Sequence, residues 1–201
     1  MSLFSRKPPD PRVVADPRRL PPGQVLTEKW PVLHYGRAAS YPDLGSWRLR
    51  VSGLVDSPLQ LTHEQVRALP AVDIACDIHC VTTWSRLDNV FHGPRLRDVL
   101  ALAGAKPEAR FVVFRCAAGF TTSIPRELAE EDQVALAYLH GGEELTQEHG
   151  YPLRALVPRK YFWKSAKWLE EIVLTAEDEL GFWERNGYNN SADPWLEERY
   201  W

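Results

Sequence analysis

The sequence predicts an α+β fold with mixed β-sheets and short flanking helices. Strand-like alternation recurs more often than helical periodicity. Strands and helices do not take turns regularly, as a doubly wound fold requires. No internal repeat or low-complexity block follows the first thirty residues. A chain of 201 residues is long enough to bury one hydrophobic core without cross-links.

The elements follow in order. SWRLRVSGLV sets Trp47, Leu49 and Val51 on one face and Arg48 and Arg50 on the other, a half-buried strand. LTHEQVRALP offers Thr62 as N-cap, Gln65 three positions on and Pro70 as terminator, a helix of about two turns. AVDIACDIHCV alternates again, and VTTWSRLDN after it reads as a loop. GPRLRDVLALAGA spaces Leu96, Val99, Leu100 and Ala103 for a helix stopped by Gly104. RFVVFRCA is a buried strand, and SIPRELAEE starts a helix with proline in its first turn. VALAYLHGGEEL runs from a strand into a Gly-Gly turn, and YPLRALVP and KWLEEIVLTA are the last two strands. The domain reading is an extended Pro/Arg-rich segment over 1–29 and a single domain over 30–201 with an aromatic tail.

Bulk chemistry removes several functions. A net charge of −3 points to no nucleic-acid partner. No apolar run is long enough to span a membrane. Arg18–Arg19 lacks the apolar stretch that a twin-arginine signal needs. Three sparse cysteines argue against a disulfide framework and for a reducing compartment, so the expected location is cytoplasmic.

Cys76, His79 and Cys80 resemble a metal cluster only on paper. On a strand, four residues span roughly 13 Å, whereas disulfide Cα atoms lie within about 7 Å and zinc–sulfur bonds are about 2.3 Å. His79 falls on the opposite face from both cysteines. Cys76, in mid-strand among isoleucines, reads as core. Cys80 ends the alternation where the chain leaves the sheet; packing and ligation both remain open for it. The second unusual block is HGYPLRALVPRKYFWKSAKW. It carries Arg154, Arg159, Lys160, Lys164 and Lys167 among Tyr161, Phe162, Trp163 and Trp168, with no acid from Tyr151 to Trp168. That composition suits a dry cationic cradle for an anion such as phosphate. No GxxxxGK[ST] or GxGxxG occurs, so a glycine-loop nucleotide site is not expected.

CVTTWS after a strand, then GFTTSIP, HGYPLRALVP and KSAKW, in this order and spacing, resemble the molybdopterin-binding domain of the sulfite oxidase family over residues 30 to 190. The chain is more similar to the bacterial sulfite-oxidase-like and methionine-sulfoxide-reductase catalytic subunits than to animal sulfite oxidase. The resemblance implies a sulfite-oxidase-type fold, a molybdenum–molybdopterin cofactor and two-electron oxygen-atom transfer on a small oxyanion, S-oxide or N-oxide. It implies Cys80 as the thiolate on molybdenum. It implies His34, Tyr35, Cys116, His149, Arg154, Lys164, Ser165, Ala166 and Lys167 as cofactor contacts, and Tyr188 as the tyrosine of the substrate pocket. Cations nearby are expected to favour the Cys80 thiolate. The expected form is a monomer served by a separate electron-transfer partner. The arginines with which animal sulfite oxidases grip sulfite are missing: Val32 or Leu33 and Ser85 stand there, with Arg37 and Arg86 as nearby substitutes. A non-catalytic cofactor carrier and a thiol redox protein using Cys76 and Cys80 are the alternatives. Trp195 and Trp201 are expected to pack back onto the domain, and His63, His92 and His140 to be surface or capping residues.

Overall fold

The structure, a computed structural model, describes residues 16–201; residues 1–15 of the expected N-terminal segment lie outside them. The strands are β1 (Val25–Leu26), β2 (Leu49–Gly53), β3 (Leu59–Leu61), β4 (Ala71–His79), β5 (Trp84–Pro94), β6 (Phe111–Cys116), β7 (Thr121–Pro125), β8 (Ala135–Ala137), β9 (Leu139–His140), β10 (Glu143–Glu144), β11 (Arg154–Leu156) and β12 (Leu169–Thr175). The helices are short: α1 (His63–Arg67), α2 (Leu96–Ala103), α3 (Arg126–Ala129) and α4 (Phe182–Arg185). One sheet runs β3-β2-β12-β6-β7 and another β1-β5-β9-β10 with β4 on β5. β2–β12 and β1–β5 pair in parallel, and the remaining pairs are antiparallel. These are the mixed sheets expected of the α+β reading.

The antiparallel ribbon of β8 and β11 lies between two cores because its side chains alternate. Leu136 and Ala155 join the core formed by β2, β6, β12 and α2. Ala135, Ala137 and Leu156 join Ile74, Ile78 and Phe91 of β4 and β5. Arg154 precedes Ala155 and so shares the side of Leu156, among the aromatics of the second core.

Local chemistry accounts for the helices. Thr62 accepts from Gln65 N at 3.1 Å while Gln65 Oε1 accepts from Thr62 N at 2.8 Å, a complete capping box. α1 is nonetheless only five residues long. α2 buries Leu96, Val99, Leu100 and Ala103 and ends on Gly104 at φ 67°, as its sequence requires.

The segment after Cys80 corrects the sequence reading. Only Val81–Thr83 form a turn, and the longest strand, β5, begins at Trp84. Thr83 N donates to Cys80 O at 3.0 Å and Cys80 N to Trp84 O at 2.8 Å. Thr83 takes φ 76°, the left-handed position that closes a three-residue hairpin loop and that a β-branched residue seldom adopts. The alternation of β5 was hidden for two reasons. Ser85 and Asn89 are polar yet buried, each held by hydrogen bonds. A bulge also shifts the pairing between Cys76↔Asn89 and Ile78↔Arg86. From Asp16 onward, the N-terminal segment lies along this hairpin: β1 pairs with Trp84 and Ser85, and Arg19 binds Asp77 at 2.6 Å and Asp88 at 2.6 Å.

Gly93 of β5 marks where two layers touch: a Cβ there would lie 1.9 Å from Leu136 O and 3.1 Å from Ala137 Cα. Neither atom belongs to a side chain that can move aside. Gly93→Ala is expected to destabilise the fold by about 2 kcal/mol, lowering the thermal midpoint by roughly 4–8 °C in a chain of this size. Thermal unfolding followed by circular dichroism checks it.

Candidate active site

The hairpin tip, the β11 ribbon and the loops before β2 and β12 enclose a cavity of about 330 Å³, within the usual range for small-molecule and cofactor sites. Of the residues expected at a site, His34, Tyr35, Cys80, His149, Arg154, Ser165, Ala166, Lys167 and Tyr188 line it. Two others do not. Cys116 is buried in the larger core, and its neighbour Ala117 reaches the wall instead. The ammonium of Lys164 lies 2.6 Å from the buried carboxylate of Glu184, outside the lining. Trp30, Trp84, Phe120 and Trp183 also line the cavity; Trp84 and Phe120 belong to CVTTWS and GFTTSIP, whereas no local pattern singles out Trp30 or Trp183.

Arg154 carries the charge of the site. It is 1% exposed and donates only to carbonyls: His149 O at 2.8 Å, Ser165 O at 2.7 Å and Ala155 O at 3.4 Å. Among the described residues no carboxylate pairs with it. Its guanidinium sits 4.3 Å from the ring centre of Phe162 and 5.4 Å from that of Trp30, which supplies cation–π attraction without neutralising it. Burial pushes it down to about 9, which leaves it charged at neutral pH.

Lys167 is the second cation, and it too has carbonyl partners: Leu33 O at 2.8 Å and Glu148 O at 2.7 Å. Burial first, then Arg154, bring it down to about 7. Its bond to Leu33 ties the segment bearing His34 and Tyr35 over the cavity. His149 stacks on Trp30 at 3.9 Å and donates through Nε2 to Trp30 O at 3.3 Å. Burial, Arg154 and Lys167 hold its ring below the ordinary histidine value, so it stays neutral. His140 is packed between Trp30 and Phe91 at 4.5 and 4.7 Å, a correction to its expected surface position.

At the other wall Cys80 stands on the hairpin turn, its Sγ 3.1 Å from Thr82 Oγ1. Burial raises its thiol, opposed by Thr82 and less strongly by Arg199. A nearby cation does favour the thiolate, as expected, but burial outweighs it. Cys76 is pushed up to about 12 by burial and Asp77 and lies outside the cavity. His79 turns away and bonds Ser85 Oγ at 2.8 Å, with Trp195 edge-on to it at 4.9 Å. Tyr188 packs on Trp163, Trp183 and Tyr200 at 5.2, 4.9 and 5.1 Å. Trp201 folds back, donating to Glu184 O at 3.3 Å. Among the described residues, no three His, Cys, Asp or Glu side chains converge on a metal position, and no helix is long and apolar enough to cross a membrane.

Two cations, a lone thiol and aromatic walls lining one cavity suit a bulky anionic cofactor with a soft metal. Residues 37–183 match the family described as oxidoreductase molybdopterin binding domain. The chain is 50% identical over 182 residues to the uncharacterized oxidoreductase YuiH of Bacillus subtilis (strain 168), covering 90% of this chain and 92% of that one. It is 32% identical over 179 residues, 87% of this chain and 68% of that one, to a putative protein-methionine-sulfoxide reductase subunit, YedZ1, of Azospira oryzae. The sulfite oxidase of Arabidopsis thaliana is 31% identical over 180 residues, 72% of this chain but only 46% of that enzyme. The crystal structure of the sulfane dehydrogenase SoxCD from Paracoccus pantotrophus superposes with a TM-score of 0.67 at 25% identity, covering 77% of this chain and 43% of that one. Fold and cavity thus define a molybdopterin-dependent oxidoreductase of the sulfite oxidase type. The chain belongs to the oxidoreductase molybdopterin-binding domain family, whose cofactor is molybdenum held by molybdopterin.

The free cations make a testable anion site. Between about pH 7 and 10.5 the unfolded chain holds a proton on Lys167 that the folded chain lacks, so in that window rising pH stabilises the anion-free protein. A bound anion reverses this by drawing the proton onto Lys167. Sulfate, which does not titrate here, is expected to bind the cofactor-free protein more tightly as the pH falls from about 9 to about 7. Lys167→Met removes that slope, as calorimetric titration at several pH values would record.

Proposed function

We propose that the protein catalyses two-electron oxygen-atom transfer on a small S-oxide or N-oxide. In this reading Cys80 binds molybdenum through its thiolate, and Arg154 and Lys167 hold the anionic part of the pterin. The observation that carries the assignment is Arg154, a fully buried cation facing a cavity with no carboxylate partner among the described residues. An anionic guest supplies the missing charge and converts a desolvation cost into a charge-assisted contact. His149, neutral and fixed by Trp30, and the backbone at Ser165 and Ala166 line the same end; His34 and Tyr35 close it from the segment tied to Lys167.

The cofactor, when bound, supplies the two-electron chemistry, and the chain supplies placement, a dry cavity and a proton donor. The raised Cys80 thiol gives up its proton on ligation, because a coordinating metal deprotonates a thiol outright. Burial and Tyr200 raise the Tyr188 phenol, so it stays protonated and would be available to donate a hydrogen bond to an oxide substrate. The rings around Tyr188 are Trp163, Trp183 and Tyr200. The two substitute arginines do not reach them: Arg86 is committed to Glu28 O, Asn89 and His140, and Arg37 is exposed outside the lining. Neither of them lines the cavity, and Arg199, the cation felt by Cys80, is turned onto Val81 O; a neutral oxide therefore suits the site better than sulfite. We also propose that residues 30–201 form one domain, with residues 16–29 lying along its β4–β5 hairpin. The three free cysteines suit a reducing cytoplasm, and a separate protein exchanges electrons with the monomer.

Protein purified from a host that makes the cofactor is expected to hold stoichiometric molybdenum and a pterin that fluoresces after oxidative release. Cys80→Ser is expected to abolish turnover of sulfoxides and N-oxides with an artificial electron donor and to change the metal's optical spectrum. Cys76→Ser should leave both intact. Zinc in place of molybdenum, or an inactive but folded Cys76→Ser variant, contradicts the assignment.

A further inference from the structure

Lys164 and Glu184 form a buried ion pair just behind the cavity wall, with side chains 1% and 0% exposed. The three ammonium hydrogens are all used: on Glu184 Oε1 at 2.6 Å, Ser123 O at 2.9 Å and Asn190 Oδ1 at 2.9 Å. None remains for a guest in the cavity. The same Glu184 oxygen accepts the Thr122 hydroxyl at 2.8 Å and the indole N–H of Trp163 at 3.1 Å. Glu184 Oε2 has no partner and faces Gly181, where a Cβ would come within 2.5 Å of it.

One carboxylate oxygen thus holds β7, the turn at Phe162–Lys164 and α4 together. Its consequences reach the cavity through two indoles. Trp163, hydrogen-bonded to Glu184, meets the Tyr188 ring edge-on at 5.2 Å and 86°. Trp183, its chain neighbour, meets the same ring at 4.9 Å. Both indoles and Tyr188 line the cavity, whereas Glu184 and Lys164 do not. A buried ion pair adds little stability over an apolar pair of similar shape, so its effect here is geometric.

We propose that Glu184 is a positioning residue that sets the substrate end of the cavity through Trp163, and that Lys164 is its counterion and not a cofactor ligand. The inference rests on the oxide-transfer reading above. It assigns substrate selection to a group that never touches substrate.

The test is the double variant Lys164→Met/Glu184→Leu, which removes both charges together so that neither is stranded, beside Trp163→Phe, which deletes the indole donor along with part of the ring. The probe is dimethyl sulfoxide with a reduced viologen donor. Both variants are expected to keep wild-type molybdenum per chain and a kcat within about twofold, while KM rises about fivefold to tenfold, the scale of one lost hydrogen bond. Combining all three changes should raise KM no further. In the cofactor-free protein the double variant should alter the indole bands of the near-ultraviolet circular dichroism with the far-ultraviolet spectrum unchanged. A fall in molybdenum content with unmoved indole bands and unchanged KM overturns the proposal and makes Lys164 a cofactor ligand. If the wild type turns over no sulfoxide, molybdenum content and the indole bands decide alone. A wild-type protein without molybdenum defeats the underlying functional reading instead, and the indole bands still test the positioning role.

Discussion

Arg154 is a guanidinium taken out of water and surrounded by carbonyl oxygens and aromatic faces. Its solvation has been replaced by His149 O, Ser165 O and Ala155 O, while its full charge has not been cancelled. Dipoles can solvate a buried ion, but only an opposite charge removes its long-range field. Much of the surrounding structure follows. Arg154 sits at the start of β11 because that ribbon turns alternate residues toward two different cores. The turn at Ser165 must come back under it to present a carbonyl. His140 and His149 are held neutral partly by its field. A protein that folds around such a group is organised for an anionic guest.

The thiol wall depends on a different device. Cys80 is placed by the geometry of a hairpin tip, where two backbone hydrogen bonds fix the turn and Thr83 accepts an unfavourable backbone conformation. Such strain costs about 1–3 kcal/mol and persists only where the surroundings over-determine it. Here the N-terminal segment contributes: Gln24 donates to Cys80 O at 3.1 Å, and the parallel pairing of β1 pins Trp84 and Ser85. From the other side Arg199 donates to Val81 O at 2.5 Å. Both ends of the described chain therefore converge on the turn that carries the candidate metal ligand.

Legibility in the sequence tracked how local the cause was. The capping box at Thr62, the apolar stripe of α2 and the Gly104 stop are short-range physics, and each is present. β5 was missed because buried Ser85 and Asn89 interrupt the apolar pattern, and their hydrogen-bond partners come from elsewhere in the fold. The cationic block was visible as composition, yet composition could not divide it. Arg154 and Lys167 face the cavity, Lys160 and Arg159 lie near the acids Asp193 and Glu131, and Lys164 is neutralised by Glu184, twenty residues later. The isolated acid that decides this has no motif. Trp30 and Trp183 are invisible for the same reason, since each reaches the site through tertiary packing alone.

The division of Lys164 from Arg154 and Lys167 sharpens the chemistry. A cavity ringed by three free cations would draw any oxyanion to any part of its wall. With Lys164 cancelled, the cations in the cavity lining are Arg154 and Lys167, and Tyr188 packs on Trp163, Trp183 and Tyr200. The field is then asymmetric: in the proposed reading the charged part of a cofactor would be held by Arg154 and Lys167 and its metal by Cys80. A charged substrate gains little at the aromatic end, because its desolvation there is not offset by an opposite charge. The proposed neutral oxide would give up less hydration than an anion on entry and would still offer an oxygen to Tyr188. Selectivity in this site comes as much from where positive charge has been removed as from where it remains.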